Sequence, residues 1–151
     1  MTDLVRTTFS IDKHLHDQFE RLATERGYDN RSEFLRDLLR EHLVKEEWEH
    51  DQEALGTITL IYDHHQRQLA AKLIDVQHDH HDIVLATTHV HLNHDMCAET
   101  IMLRGPASQI RNLADVIRKQ RGVFHATLSM SSTGKALRIS LSSAKKRSHS
   151  H

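Results

Sequence analysis

Residues 83–104 read IVLATTHVHLNHDMCAETIMLR. Two runs rich in β-branched and apolar residues, Ile83–Leu92 and Cys97–Arg104, flank a short polar stretch, which predicts two strands joined as an antiparallel hairpin. Successive side chains of a strand point to opposite faces, so His89 and His91, two apart, leave the same face. A turn through Leu92–Met96 with its register centred on His94 sets Cys97 beside His91 on the neighbouring strand.

Outward from the hairpin the period changes. Leu69, Ala70, Leu73, Ile74 and Gln77 before it, and Ile110, Leu113, Ala114, Ile117 and Arg121 after it, have helical spacing, and Gly122 closes the second helix. Thr57–Tyr62 and Val123–Met130 are the outermost strands, and Gly105-Pro106 is expected to break the strand before it. The order is βαββαβ within residues 57–133, a ferredoxin-like or ACT-like arrangement. A different module precedes it. Val5, Thr7, Phe9 and Ile11 alternate with Arg6, Thr8 and Ser10, the pattern of a short strand. Asp12 can cap a helix whose stripe is Leu15, Phe19, Leu22 and Ala23, with Gly27 past its end. Asn30 and Glu33 form a capping box for a second helix that buries Phe34, Leu35, Leu38, Leu39 and Leu43. A lone strand lacks a ladder partner, and the same strand of a second copy supplies one. The fold class is therefore α+β, with a strand-helix-helix module at 1–50 and the ferredoxin-like module at 57–133. The charged residues 44–56 read as a helix end followed by a linker at 51–56. Residues 134–151, an alternating Ala136–Leu141 and the tail KKRSHSH, stay unassigned.

Composition bounds the function. The chain has 151 residues, 38% hydrophobic and 27% charged, which suits small modules completed by oligomerisation better than one large core. No apolar run is long enough to span a membrane, and MTDLVRTTFS has no signal-peptide core, so a cytoplasmic protein without membrane contact is the expectation. One cysteine rules out an intrachain disulfide framework. Residues 1–51 carry 8 Lys+Arg and 13 Asp+Glu, net −5, and the rest carries 12 and 8, net +4. That acidity argues against DNA binding by the first module.

Fifteen histidines are unusual for this length. His89, His91 and Cys97 on one sheet face offer two imidazoles and a thiolate, and a fourth donor can come from Gln77–Asp82. Such a set suits Zn, Cu or Ni. Secondary sites at His64, His65, His80, His81 or His125 remain open, whereas His14, His16, His42 and His50 fall on helix surfaces. A strand paired with its twin makes a ribbon that fits the major groove, from which Arg6, Thr8 and Ser10 reach bases. The Asn30-Arg31-Ser32 helix start favours a phosphate. Rival readings are a metalloenzyme or a nickel-storage protein. No general base stands at fixed spacing to the hairpin, which disfavours the enzyme, and storage leaves the strand-helix-helix module unexplained.

The segments R-x-T-x-S at Arg6–Ser10, GYDNRSEFLRDLLR at Gly27–Arg40, QHDHHD at Gln77–Asp82 and HVHLNHDMC at His89–Cys97 occur in an order that resembles the nickel-responsive transcription regulator family, NikR. The resemblance covers residues 5 to about 130. It implies a ribbon-helix-helix domain joined to an ACT-like nickel-binding domain, in a homotetramer built as a dimer of dimers. It implies one square-planar Ni(II) per chain, held by His89, His91 and Cys97 with His78 from another chain. It implies base reading by Arg6, Thr8 and Ser10, and a second cation between the domains at Glu33 and Asp37. The implied activity is repression through operator DNA, with no catalysis. The chain departs from the pattern at Asp79, which interrupts a His run, and at Gln66, where a lysine can occur.

Overall fold

The computed structural model describes residues 5–135 and Leu137. The described chain divides into two compact units, residues 5–42 with Leu137 and residues 43–135. The expected strand at Ala136–Leu141 and the tail lie outside the described residues.

In the first unit, α1 spans Lys13–Glu25, and the Asp12 side chain accepts from the Leu15 amide at 2.9 Å. Gly27, with φ +74°, takes the left-handed position past the helix end that glycine occupies without strain. The second helix, α2, spans Arg31–Glu49. Asn30 Oδ1 accepts from the Ser32 amide at 2.9 Å and from the Glu33 amide at 3.4 Å, and the latter is one half of the expected capping box. Glu33 does not complete it with an observed bond and instead pairs with Arg36 at 3.6 Å. Phe34 is fully buried, with Phe19 and Tyr28 rings 5.0 and 5.1 Å away. Among the described residues, 5–11 form no ladder. Val5 is 85% exposed and Phe9 59%. The alternation is there, but strand hydrogen bonds need a second strand, and the described residues of this unit offer no other such segment.

The second unit is a four-stranded antiparallel sheet of β1 (Glu53–Asp63), β2 (Val84–His91), β3 (Met96–Pro106) and β4 (Val123–Ser132), in the order β2-β3-β1-β4. Helices α3 (Leu69–Asp79) and α4 (Ala107–Arg118) join the strands in βαββαβ sequence. Leu69 and Leu73 of α3 and Ile110, Leu113 and Ile117 of α4 pack with Ile58, Leu60, Ile101 and Leu103 of the sheet. Two sequence expectations need correcting. The linker at 51–56 is largely the start of β1, whereas the helix end expected before it is indeed the end of α2. Trp48 anchors that end in the core, 1% exposed, its Nε1 donating to Ser131 O at 2.8 Å. Nor does Gly105-Pro106 break a strand: both residues pair with β1, opposite Ala54 and Glu53. Proline is tolerated there because it ends the strand and precedes the first turn of α4.

Gly56 permits close packing of Trp48 and α4 on β1. A Cβ there would lie 2.8 Å from Ile110 Cγ2 and 3.2 Å from the Trp48 ring. Ile110 is branched at Cβ and fully buried, so relief requires movement of α4. Gly56→Ala is expected to destabilise the second unit by about 1–3 kcal/mol, seen as a lower midpoint in denaturant at unchanged slope; an unchanged midpoint would show that α4 yields freely.

Candidate metal centre

The pairing of β2 with β3 sets His91 directly opposite Cys97, and β1 sets Tyr62 on the other side of Cys97. The next row on the same face holds His89, Glu99 and Leu60. This is the helix-covered face, yet β2 lies at the sheet edge, so Cys97 is buried while His89 and His91 are exposed. The register expected from the hairpin is the one observed. Leu92 and Asn93 amides both donate to Met96 O, closing the turn.

Cys97 Sγ lies 3.2 Å from His91 Nδ1 and 3.4 Å from His64 Nδ1. Two donors on one ion at ordinary metal–sulfur and metal–nitrogen lengths stand about 3.1–3.6 Å apart, so these atoms fit a shared metal. The structure thus gathers His64, His91 and Cys97 into one donor cluster. His89 is beside it, its ring 4.9 Å from that of His91 and 6.0 Å from Tyr62. His78 is not part of the cluster. It sits in the last turn of α3 and lines a hollow with Ile74, Gln77, His81 and Val84.

By sequence His64 is one of several open secondary candidates, but the structure brings it to the thiol. The signal lay in topology. In a βαββαβ sheet β1 runs beside β3, so the residues following Tyr62 arrive where the hairpin begins. The His64 amide donates to Asp95 O at 2.7 Å and ties the two loops together.

Behind the donors lies a polar chain. Thr87 Oγ1 donates to Gln77 Oε1 at 2.6 Å, and Gln77 Nε2 donates to Glu99 Oε1 at 2.7 Å. Tyr62 OH donates to Glu99 Oε2 at 3.4 Å. Burial pushes the Cys97 thiol above its ordinary range, and the Glu99 charge adds to this. Coordination requires the thiol to give up its proton, and this environment opposes that loss.

The other predicted residues lie in the first unit. Arg6, Thr8 and Ser10 are exposed. Arg31 is engaged by both Glu20 oxygens, and the Ser32 amide by Asn30, so this helix start is less open to phosphate than its sequence suggests. Glu33 and Asp37 line one hollow with Tyr28, Arg36 and Arg40. Asp37 accepts from Tyr28 OH at 2.7 Å and Arg40 at 2.6 Å, and these bonds hold its carboxyl below the usual range.

With this geometry in place, comparison with known proteins is decisive. Residues 55–131 match the NikR C terminal nickel binding domain, and residues 5–46 match the ribbon-helix-helix protein, copG family. The chain belongs to the NikR family. A relative from Syntrophus aciditrophicus, named "Putative nickel-responsive regulator", is 47% identical over 89% of this chain and 98% of its own. Relatives of the same name from Nitratidesulfovibrio vulgaris and Pyrococcus abyssi are 48% and 41% identical, over 88% and 89% of this chain and 96% and 99% of theirs. The NikR fold therefore includes an N-terminal ribbon-helix-helix domain and a C-terminal α+β domain here.

Burial, and then the Glu99 charge, push the Tyr62 phenol up to about 12. An unfolded tyrosine loses its proton near pH 10, about two units earlier. Between these values the unfolded chain has released a proton that the folded chain keeps, so stability falls as pH rises. Tyr62→Phe should flatten the alkaline decline of the denaturation midpoint; an identical decline in the variant would show that Tyr62 does not contribute to it.

Proposed function

We propose that the chain is a nickel-responsive, DNA-binding transcriptional repressor whose operator binding is promoted by Ni(II), controlling nickel uptake in the cytoplasm. The observation that carries this reading is the His91–Cys97 pair on one sheet face, inside a domain of the nickel-binding family. In this reading His89, His91 and Cys97 hold one Ni(II) per chain, and the exposed His78 serves a neighbouring chain of a homotetramer. His64 steadies the thiol from the β1 side. Nickel would supply the bonds that draw these donors together, and it would do no chemistry on a substrate. Residues 57–133 then bind metal and assemble the tetramer, with 51–56 joined to them, while residues 1–50 dimerise and bind DNA.

Two features support the DNA-facing half. Phe9, Ile11, Leu15, Phe19 and Leu35 line one apolar groove with Thr7, the surface a second copy of the ribbon would cover. The acid excess also has a local account. Lys13, Arg21, Arg26, Arg31, Arg36 and Arg40 each pair with a carboxylate of the same unit. Among the described residues Arg6 has no such partner, so its guanidinium is available to a base, with Thr8 and Ser10 on the same edge and Asn30, Arg31 and Ser32 nearer the backbone. A second cation at Glu33 and Asp37 would have to compete with Arg36 and Arg40. The enzyme and storage readings lose to this one because both family matches belong to a regulator's parts.

A gel-shift titration on DNA upstream of nickel-uptake genes, with and without Ni(II), tests the reading. Nickel should sharpen binding, and Cys97→Ser should abolish that dependence. Arg6→Ala should weaken binding by about 1–3 kcal/mol while leaving nickel affinity measured without DNA unchanged. Nickel-independent binding, or full affinity in Arg6→Ala, Thr8→Ala and Ser10→Ala alike, would contradict it.

A further inference from the structure

The loop after β1 and the β2–β3 turn bring a second donor set together, apart from the thiol. His65, His94 and Asp95 each present one ligand atom, and these atoms all lie within 4.8 Å of one another. The backbone fixes both loops. The His64 amide donates to Asp95 O at 2.7 Å, and the His65 amide to Asp63 Oδ1 at 2.8 Å. Asp95 and Met96 amides both donate to Asn93 Oδ1 at 2.9 Å, which shapes the turn that carries His94 and Asp95. His65 Nε2 stands 3.2 Å from Asp95 Oδ1. Two nitrogen or oxygen donors about 2.1 Å from one ion are separated by about 3.0–3.4 Å, so this spacing already suits a shared cation. The His94 ring stands 5.0 Å from that of His65.

A polar contact between His65 and Asp95 alone accounts for the 3.2 Å separation. It does not account for His94, a second imidazole converging on the same carboxylate. We propose that His65, His94 and Asp95 form a second divalent-cation site, one per chain, that takes a first-row transition ion such as Ni(II) through two imidazoles and one carboxylate. All three side chains are exposed, so water completes the coordination. The set contains no sulfur and favours a harder, more hydrated ion than the thiol centre does. With neutral imidazoles, Asp95 supplies the only protein charge. Binding here is therefore weaker than at Cys97 and easily reversed.

The site differs from the thiol centre in one optical property, because only a thiolate gives strong sulfur-to-nickel charge-transfer absorption. Ni(II) is titrated into the full chain and into a His94→Gln/Asp95→Asn double variant, which keeps the Asn93 turn bonds. Bound ions are counted by equilibrium dialysis with metal analysis, and absorption is read on the same samples. The double variant should bind one fewer ion per chain and keep the charge-transfer band. Cys97→Ser should lose the band and keep that ion. An equal count in the wild-type chain and the double variant would overturn the second site. So would loss of the band in the double variant, which would place His94 and Asp95 in the thiol centre. If no band forms in any protein, the nickel-regulator reading fails, while a one-ion difference would still uphold this site.

Discussion

The pairing of β2 with β3 that sets His91 opposite Cys97 is the constraint on which the rest of the centre depends. A strand's side chains alternate with a period of two, so a slip of one residue would turn both histidines of β2 to the other face. The turn holds that register through the Asn93 side chain and the Met96 carbonyl. Pairing of β3 with β1 then fixes Tyr62 beside Cys97 and delivers His64 to the thiol. Glu99, one row behind, is satisfied by Gln77 and Tyr62, so the face carrying the donors is polar without being loose. The cost of this design is a buried thiol that must lose its proton to bind a cation.

The two units solve different problems of incompleteness. The second buries a continuous core in which Trp48 and α4 pack side by side on the sheet. The first leaves Phe9, Ile11 and Leu15 exposed and, among the described residues, 5–11 without a ladder. Its charges are organised in a way net charge hides. Carboxylates on α1 and α2 take up the arginines of the helices, and Arg6, outside the helices, is left free among the described residues. If nickel strengthens operator binding, operator binding must strengthen nickel binding by the same factor, whatever path joins the units.

Much of this was legible in the sequence because it rests on local periodicity. The helices α1 to α4, the hairpin, its register and the Asp12 and Asn30 caps all follow from spacing and short-range chemistry. The misreadings share a cause, which is that tertiary packing overrode a local signal. Residues 51–56 look like a linker, yet Glu53–Gly56 pair with β3, and Trp48 in the helix end before them docks into the sheet core. Gly105-Pro106 looks like a breaker, yet it sits where a strand ends anyway. His64 was the least legible residue of the centre, because its place depends on β1 lying beside β3, a pairing between segments far apart in the chain. The 5–11 alternation was legible, but a ladder is a property of two strands.

The central claim is that the nickel centre is shared between chains, with His78 from one chain meeting His89, His91 and Cys97 of another. Its placement in the last turn of α3, outside the cluster around Cys97, gives that claim its structural motive. The most direct measurement mixes two variants, His78→Ala and His89→Ala, each expected to bind nickel poorly alone. After unfolding and refolding together, some oligomers should carry intact sites, because each variant supplies what the other lacks. The account predicts that the thiolate-to-nickel charge-transfer absorption returns on mixing. Its failure to return, in samples where mass spectrometry proves that mixed oligomers formed, would contradict the shared centre.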